Sequence, residues 1–543
     1  MVLSGRGGSG SRAPTIRPGH ATASSPSAPI VLAQGAARIA LYPILIAVAL
    51  VAELFVTSGV SPLVIIRSLI VAVAAGALLS GTGRVLLGDK DRGGIFATLA
   101  IFLFVVGADV RIAILLGLAI ALLFVERYVL PPARRFRWRI IGRFFSSVSA
   151  ILLLAIGIQA VQSGTPGLVL RALTEEAPLR AGTTVGAPPA GTRPDVYILL
   201  LDGHARPDVL REIFGYDETP LLAGLEGRGF EIATQSRTNY ALTVQVMAAM
   251  FNMRPLHEID SVRPLLDKTS SRPPGAVIRT AINDGPVLER FREEGYELVA
   301  LASSYEEPAL RSVDRWIDTG ELNEFEVNLF RRTILRPILP IVAPDWVSSS
   351  YRSRVENEFD ALGDIAAERG DRPKFVFGHL PSPHAPWVYN ADGSPRTVLD
   401  VDAMWAETPA STGLDKAALI KGYAGQVEWV DGRLMEAIDE IVANSARPPV
   451  IIVFGDHGSW IGADGGDIRL RFLPLFAARM PGGNDPFPDD IDLVNVFPIL
   501  FDDLFGDDIP LVEGTPSYMF GRNEYDLTAI PDPNGALPVG ALP

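Results

Sequence analysis

The feature that most restricts this chain is a series of five apolar stretches in its first third, at 39–58, 62–80, 94–109, 111–129 and 143–162. A helix needs roughly 20 apolar residues to cross ~30 Å of hydrocarbon, so stretches of this length read as five transmembrane helices, the third being the shortest. The first reads as a spanning segment rather than a cleavable leader: it is long, and no small-residue cleavage site with polar sequence behind it precedes the next apolar run. Residues 1–36, made mostly of Gly, Ser, Ala, Pro and Arg, show no apolar period and are expected to form a disordered tail.

Orientation follows from the connecting loops. Arg6, Arg12, Arg17 and Arg38 precede the first stretch, and Arg84, Lys90 and Arg92 lie between the second and third. Arg127, Arg134, Arg135, Arg137, Arg139 and Arg143 lie between the fourth and fifth. The other two loops carry almost no positive charge. The positive-inside rule then places the N-terminus in the cytoplasm, and five crossings put everything after residue 163 outside. Glu53 and Arg67 interrupt the first two stretches at similar depths, about 7–8 Å below the outer surface, and an unpaired charge there is costly. They are expected to pair with each other or to snorkel.

Charge divides at the same place. Through Gly164 there are 15 basic and 5 acidic residues, and beyond it 33 basic and 57 acidic, a net of +10 against −24. The acidic part argues against nucleic acid as a partner, since it repels phosphate backbones. The chain has no cysteine, which rules out disulfides, thiolate metal sites and a cysteine nucleophile.

Residues 164–194, rich in Gly, Ala, Pro and Thr, read as a linker with a short interfacial helix around 168–179. A domain over 195–523 comes next, and then a tail over 524–543. Val196–Leu201 is a continuous apolar run of the kind buried on both faces of a sheet. Similar short runs at 230–233, 296–301, 375–377, 450–454 and 471–477 alternate with helical stretches at 206–214, 219–227, 285–294, 350–369, 414–444 and 491–505. This alternation predicts an α/β domain with a mostly parallel sheet, whose ligands sit beyond the carboxyl ends of the strands.

Those ends carry the chemistry. Asp202-Gly203-His204 comes directly after the first strand, and Gly455-Asp456-His457-Gly458 after the run at 450–454. Two carboxylates and a histidine form a mixed oxygen and nitrogen set. It suits one divalent Zn²⁺ or Mn²⁺ ion better than Ca²⁺ or Mg²⁺; the plainer role of Asp-Gly is a turn. A helix begins near Leu242, which puts Thr243 in the first turn, where free amides favour an anion. Thr243 there is either a helix cap or, beside a metal, a nucleophile. His379 and His384 lie in a proline-rich loop after the strand at 375–377. Both are able to donate to a phosphoryl or sulfuryl oxygen or to make structural hydrogen bonds.

The segments PDVYILLLDG, SRTNYALT, FVFGHLPSPHAPW, YAGQVEWVDGRL and VIIVFGDHG resemble the membrane-anchored, sulfatase-like branch of the alkaline phosphatase superfamily, over residues 194–506. The architecture is similar to that of lipoteichoic acid synthases and phosphoethanolamine transferases, which have five helices before an external catalytic domain. The resemblance implies a metal held by Asp202, Thr243, Asp456 and His457, with Thr243 as nucleophile and His384 binding the substrate head group. The formylglycine motif of true sulfatases is absent around Thr243. The early metal block has one acidic residue where many sulfatases have a pair, and the disulfides usual in phosphoethanolamine transferases are missing. The expected protein is therefore a multi-pass cell-membrane enzyme with an external phosphoester transferase domain, acting on a lipid or cell-envelope glycan substrate. Hydrolysis of phosphate or sulfate esters and an inactive envelope scaffold stand as alternatives. Nothing in the sequence fixes an oligomeric state.

Overall fold

The computed structural model describes residues 39–530 apart from 59, 108, 133–134, 163–164, 168, 171–192, 271, 304, 399–406, 409–411, 464–466, 484–485 and 520–522. The expected N-terminal tail and most of the linker lie outside the described residues. The first part of the chain forms helices α1 (Tyr42–Ser58), α2 (Ile66–Leu87), α3 (Lys90–Val106), α4 (Val110–Tyr128) and α5 (Arg139–Gln162). By length and composition alone, two helical segments among the described residues are able to cross a membrane, Pro62–Leu87 and Arg139–Gln162, while α1 is apolar but shorter. α3 starts four residues before the expected position because Asp89 caps it, accepting from the amides of Asp91 and Arg92. At that end of the bundle Arg92 donates to Glu126 at 2.9 Å, joining α3 to α4.

Glu53 and Arg67 do not pair with each other. Arg67 binds Glu326, and Arg332 Nη1 lies 2.9 Å from Glu53 Oε2. Depth alone made them partners; the competing charges come from a distant helix and the residue just past it, 259 and 279 residues away in sequence. Phe325 of that helix is buried among Ala49, Leu54, Phe55 and Val64 of the bundle.

The rest of the chain is an α/β domain. Its seven-stranded sheet contains β1 (Val196–Leu201), β2 (Glu231–Ile232), β3 (Glu297–Leu301), β4 (Arg315–Ile317), β5 (Lys374–Leu380), β6 (Val450–Gly455) and β7 (Phe476–Arg479) in the order β2-β7-β6-β1-β5-β3-β4. β7 runs antiparallel to β6, and β2 antiparallel to β7; the remaining pairings are parallel. In β1, Val196, Ile198 and Leu200 enter the core on one face, and Tyr197, Leu199 and Leu201 the core on the other. That two-sided burial is why the run is continuously apolar.

Helices α6 (Thr219–Glu226), α7 (Thr243–Asn252), α8 (Pro274–Asn283), α9 (Pro286–Glu293), α10 (Glu324–Arg331), α11 (Leu335–Val342), α12 (Trp346–Ala367), α13 (Lys416–Asn444) and α14 (Val496–Phe505) complete the domain. α7, α8, α9 and α14 cover one face of the sheet, and α6, α12 and α13 the other. α10 is the helix that docks on the bundle.

Two sequence expectations need correction. The run at 471–477 is not one strand: Ile468–Phe472 is a 3₁₀ turn and β7 begins only at Phe476. The fold also extends past 523. Leu527–Ala529 pairs with Ser517–Met519 as a two-stranded hairpin, and Tyr525 is buried in the core.

Candidate active site

The site is built at the carboxyl ends of three adjacent parallel strands, β6, β1 and β5, where an open sheet leaves a crevice. After β1 the chain turns sharply at Gly203, whose φ of +75° suits a residue without Cβ. The Asp202 amide donates to Leu380 O at 3.0 Å, and its carbonyl accepts from the His384 amide at 2.7 Å. β1 is thereby tied to the loop after β5. At the end of β6, a Cβ on Gly455 would lie 2.1 Å from the His204 carbonyl oxygen, so glycine lets the two strand ends approach. Asp456 Oδ1 accepts from the amides of Gly203 and His457, each at 3.0 Å.

These contacts aim one group of side chains at one point. The ligand atoms of Asp202, Asp456 and His457 all lie within 4.8 Å of one another, and all three residues are buried. Thr243, the first residue of α7, places Oγ1 3.3 Å from His457 Nε2. The Nδ1 of His457 lies 3.2 Å from Gly458 O. When that nitrogen carries the ring proton, the Nε2 lone pair faces Asp456 Oδ2 at 3.2 Å and Asp202 Oδ1 at 3.8 Å. Both carboxylate oxygens are buried without a hydrogen-bond partner. Lone pairs converging on a buried point fit a divalent cation, which these residues would hold.

The titration behaviour has the same geometric origin. Burial pushes Asp202 up, but His384, the hydrogen bond from His379 and the nearby His457 outweigh it and hold the carboxyl below its usual range. Asp456 is raised to about 6 by burial and by the charge of Asp202. Burial, and then the Arg471 cation, keep His457 neutral well below its ordinary value, the form a metal ligand needs. For His384, burial lowers the value, yet Glu407 and Asp202 prevail and raise it.

His379 Nε2 is 3.1 Å from Asp202 Oδ2, so His379 props that carboxylate. His384 Nε2 lies 3.7 Å from Glu407 Oε1, and Nδ1 lies 3.1 Å from the Tyr305 hydroxyl. A cleft of about 210 Å³ opens over the group, and Thr243, Tyr305, Glu307, Glu324, Trp460 and Arg471 are among its walls. Arg471 is 1% exposed, donates to the carbonyls of Gly458 and Ala241, and stacks 4.0 Å over the Trp460 ring. A buried cation beside the Thr243 end of the cleft is suited to an anionic ester.

The structure thus brings together Asp202, Thr243, Asp456 and His457, with His379 and His384 alongside. Sequence reasoning missed Arg471, Tyr305 and Glu407. Arg471 was expected to open a strand at 471–477, where it instead stands in a 3₁₀ turn; Tyr305 and Glu407 stand in irregular segments without a periodic signal.

The family model described as Sulfatase matches residues 194–474. The chain belongs to the sulfatase family. As a member of that family it is an enzyme of the sulfatase-like hydrolase and transferase type, and Asp202, Asp456 and His457 form its candidate metal centre. No curated protein matches the chain. Solved structures that are similar to it include the periplasmic domain of EptC from Escherichia coli in complex with Zn. That match has 12% identity and a TM-score of 0.40, and covers 63% of this chain and 96% of that one. Another is the soluble domain of lipooligosaccharide phosphoethanolamine transferase A from Neisseria meningitidis, at 14% identity, 60% and 92% coverage and a TM-score of 0.36. A 2-O GAG sulfatase matches at 14% identity, 59% and 72% coverage and a TM-score of 0.38.

Proposed function

We propose that this sulfatase-family enzyme is a metal-dependent phosphoester transferase of the cell membrane, using Thr243 to move a head group between lipid-linked or cell-envelope molecules. The observation that carries this reading is Thr243 Oγ1, 3.3 Å from His457 Nε2 at the N-terminus of α7, facing a cleft with a buried arginine.

A divalent ion held by Asp202, Asp456, His457 and Thr243, with zinc or manganese favoured by the donor set, would neutralise charge on the reacting group and lower the Thr243 hydroxyl pKa. Thr243 would release its proton to solvent; Oγ1 then bonds to phosphorus as the ester oxygen leaves, and that oxygen takes a proton from His384. An acceptor alcohol then gives its proton back to His384 and displaces Thr243, whose oxygen regains a proton from solvent. Arg471 and the free amides of the first turn of α7 stabilise the charge that develops on the phosphoryl oxygens. With water as acceptor the same site is an ester hydrolase, and the family match favours keeping sulfate esters among its substrates.

The anchor reading is five spans over 37–163 with residues 1–36 in the cytoplasm, 164–194 as linker and the catalytic domain outside. Its support is the loop charges, together with the position of the Arg92–Glu126 pair at the bundle end away from the one that meets α10. Because the chain has no cysteine, single introduced thiols report topology. In intact cells an impermeant maleimide should label Asp371→Cys and spare Lys90→Cys; the reverse pattern sinks the orientation.

Turnover of phosphodiester and sulfate-ester probes by the purified full chain, beside Thr243→Ala and Asp456→Asn, tests the chemistry. Activity that survives Thr243→Ala removes Thr243 as the nucleophile. Turnover of the sulfate ester alone replaces the transferase reading with a sulfatase.

A further inference from the structure

A second group of buried donors lies beside the first and takes no part in the chemistry above. His204, two residues after Asp202, Glu218, just before α6, and Asp431, in the middle of α13, place their ligand atoms within 4.8 Å of one another. His204 Nε2 is 3.1 Å from Asp431 Oδ1 and 3.5 Å from Glu218 Oε1. All three side chains are 6% exposed or less, and both Glu218 oxygens are buried without any hydrogen-bond partner. The other face of the imidazole is occupied, since Nδ1 lies 3.1 Å from Ala205 O. The outer oxygen of Asp431 accepts from the Tyr216 hydroxyl at 2.8 Å. Among the described residues no lysine or arginine forms an ion pair with Glu218 or Asp431.

Two adjacent carboxylates sealed from water need either a bound cation or a proton between them, because an unpaired buried charge is strongly disfavoured. Donors around a tetrahedral zinc at about 2.0–2.1 Å stand roughly 3.3 Å apart, close to the 3.1 and 3.5 Å that separate His204 Nε2 from the two acids. A backbone carbonyl fixing the far nitrogen of the ring is how a metal-binding histidine is usually oriented.

We propose that His204, Glu218 and Asp431 form a second, structural divalent-cation site of zinc type, which ties the end of β1 to α13 and to the start of α6. Burial and the charge of Asp431 hold the Glu218 carboxyl well above its usual range in the absence of the cation. The cation has a competitor for the role, a proton on the Glu218 carboxyl, and metal stoichiometry tells the two apart.

The test is metal analysis of the full-length chain purified in detergent and equilibrated with zinc. The wild type should hold about two equivalents, Glu218→Gln and Asp456→Asn about one each, and the double variant close to none. One equivalent in the wild type, lost in Asp456→Asn and kept in Glu218→Gln, overturns the proposal and leaves the catalytic reading intact. One equivalent lost in Glu218→Gln and kept in Asp456→Asn upholds it and removes the metal from the catalytic centre instead. A second measurement needs no activity: in the Asp456→Asn background zinc should raise the Tm by several degrees, and adding Glu218→Gln should abolish the rise. A Tm indifferent to zinc in that background overturns the site.

Discussion

Two clusters of carboxylates and histidine hang from the end of one strand, β1, and they differ in what surrounds them. Asp202, Asp456 and His457 look out into a cleft, beside the first turn of a helix that begins with Thr243. His204, Glu218 and Asp431 look inward, with Tyr216 against them and no residue of theirs on the cleft wall. In each, the carbonyl of the next residue takes Nδ1 and turns Nε2 toward acids: Gly458 for His457, Ala205 for His204. The donor chemistry is therefore nearly the same, and access with a hydroxyl in reach is what would make one centre catalytic and the other structural.

The largest effect expected is on the open cluster. If Thr243 supplies the attacking atom as proposed, Thr243→Ala should lower turnover of a phosphodiester probe by about 10³-fold or more. Comparable turnover in the variant would erase the distinction between the clusters. Arg471→Lys keeps the charge but loses the two-carbonyl grip and the stack on Trp460, and should cost about 10²-fold in kcat/KM; an unaltered value would mean that Arg471 is only structural. For the closed cluster the readout is thermal: chelation followed by zinc should restore a Tm increment in Asp456→Asn that the Asp456→Asn, Glu218→Gln double variant lacks.

The smallest effect belongs to an acid of the cleft without a histidine beside it. Glu307 is raised from 4.5 to about 7, first by burial and then by Glu524 and Glu324. The unfolded chain ionises this group near 4.5, while the folded chain resists until about 7, so Glu307 weakens folding increasingly as pH climbs through that window. Glu307→Gln should raise the Tm at pH 8 and hardly change it at pH 4. An equal gain at both pH values would show that charge is not the cause.

The open cluster was legible in the sequence because a parallel sheet gathers the residues just past its buried strands along one edge, and Asp202 and Asp456 each stand just past such a strand. The closed cluster was not. Glu218 is the residue just before α6 and Asp431 lies inside a long helix, and only the packing of α13 against the β1 loop brings them to His204. Arg471 was hidden because the apolar run at 471–477 reads as one strand, while the chain there leaves a 3₁₀ turn and enters β7 only at Phe476. The partners of Glu53 and Arg67 were hidden by distance, since the sequence between them and α10 gives no sign that the helix returns to the bundle.

Helix α10 has a consequence for how the enzyme is prepared. Its first residue, Glu324, stands in the cleft wall and accepts the Glu306 amide at 2.9 Å, while Phe325, Glu326 and the adjoining Arg332 grip the apolar bundle. A fragment trimmed to begin near residue 194 would strand Phe325 in water and leave Glu326 without its arginine. The trimmed protein would lose the brace behind one side of its own reaction chamber, so rates measured on it would understate those of the intact chain.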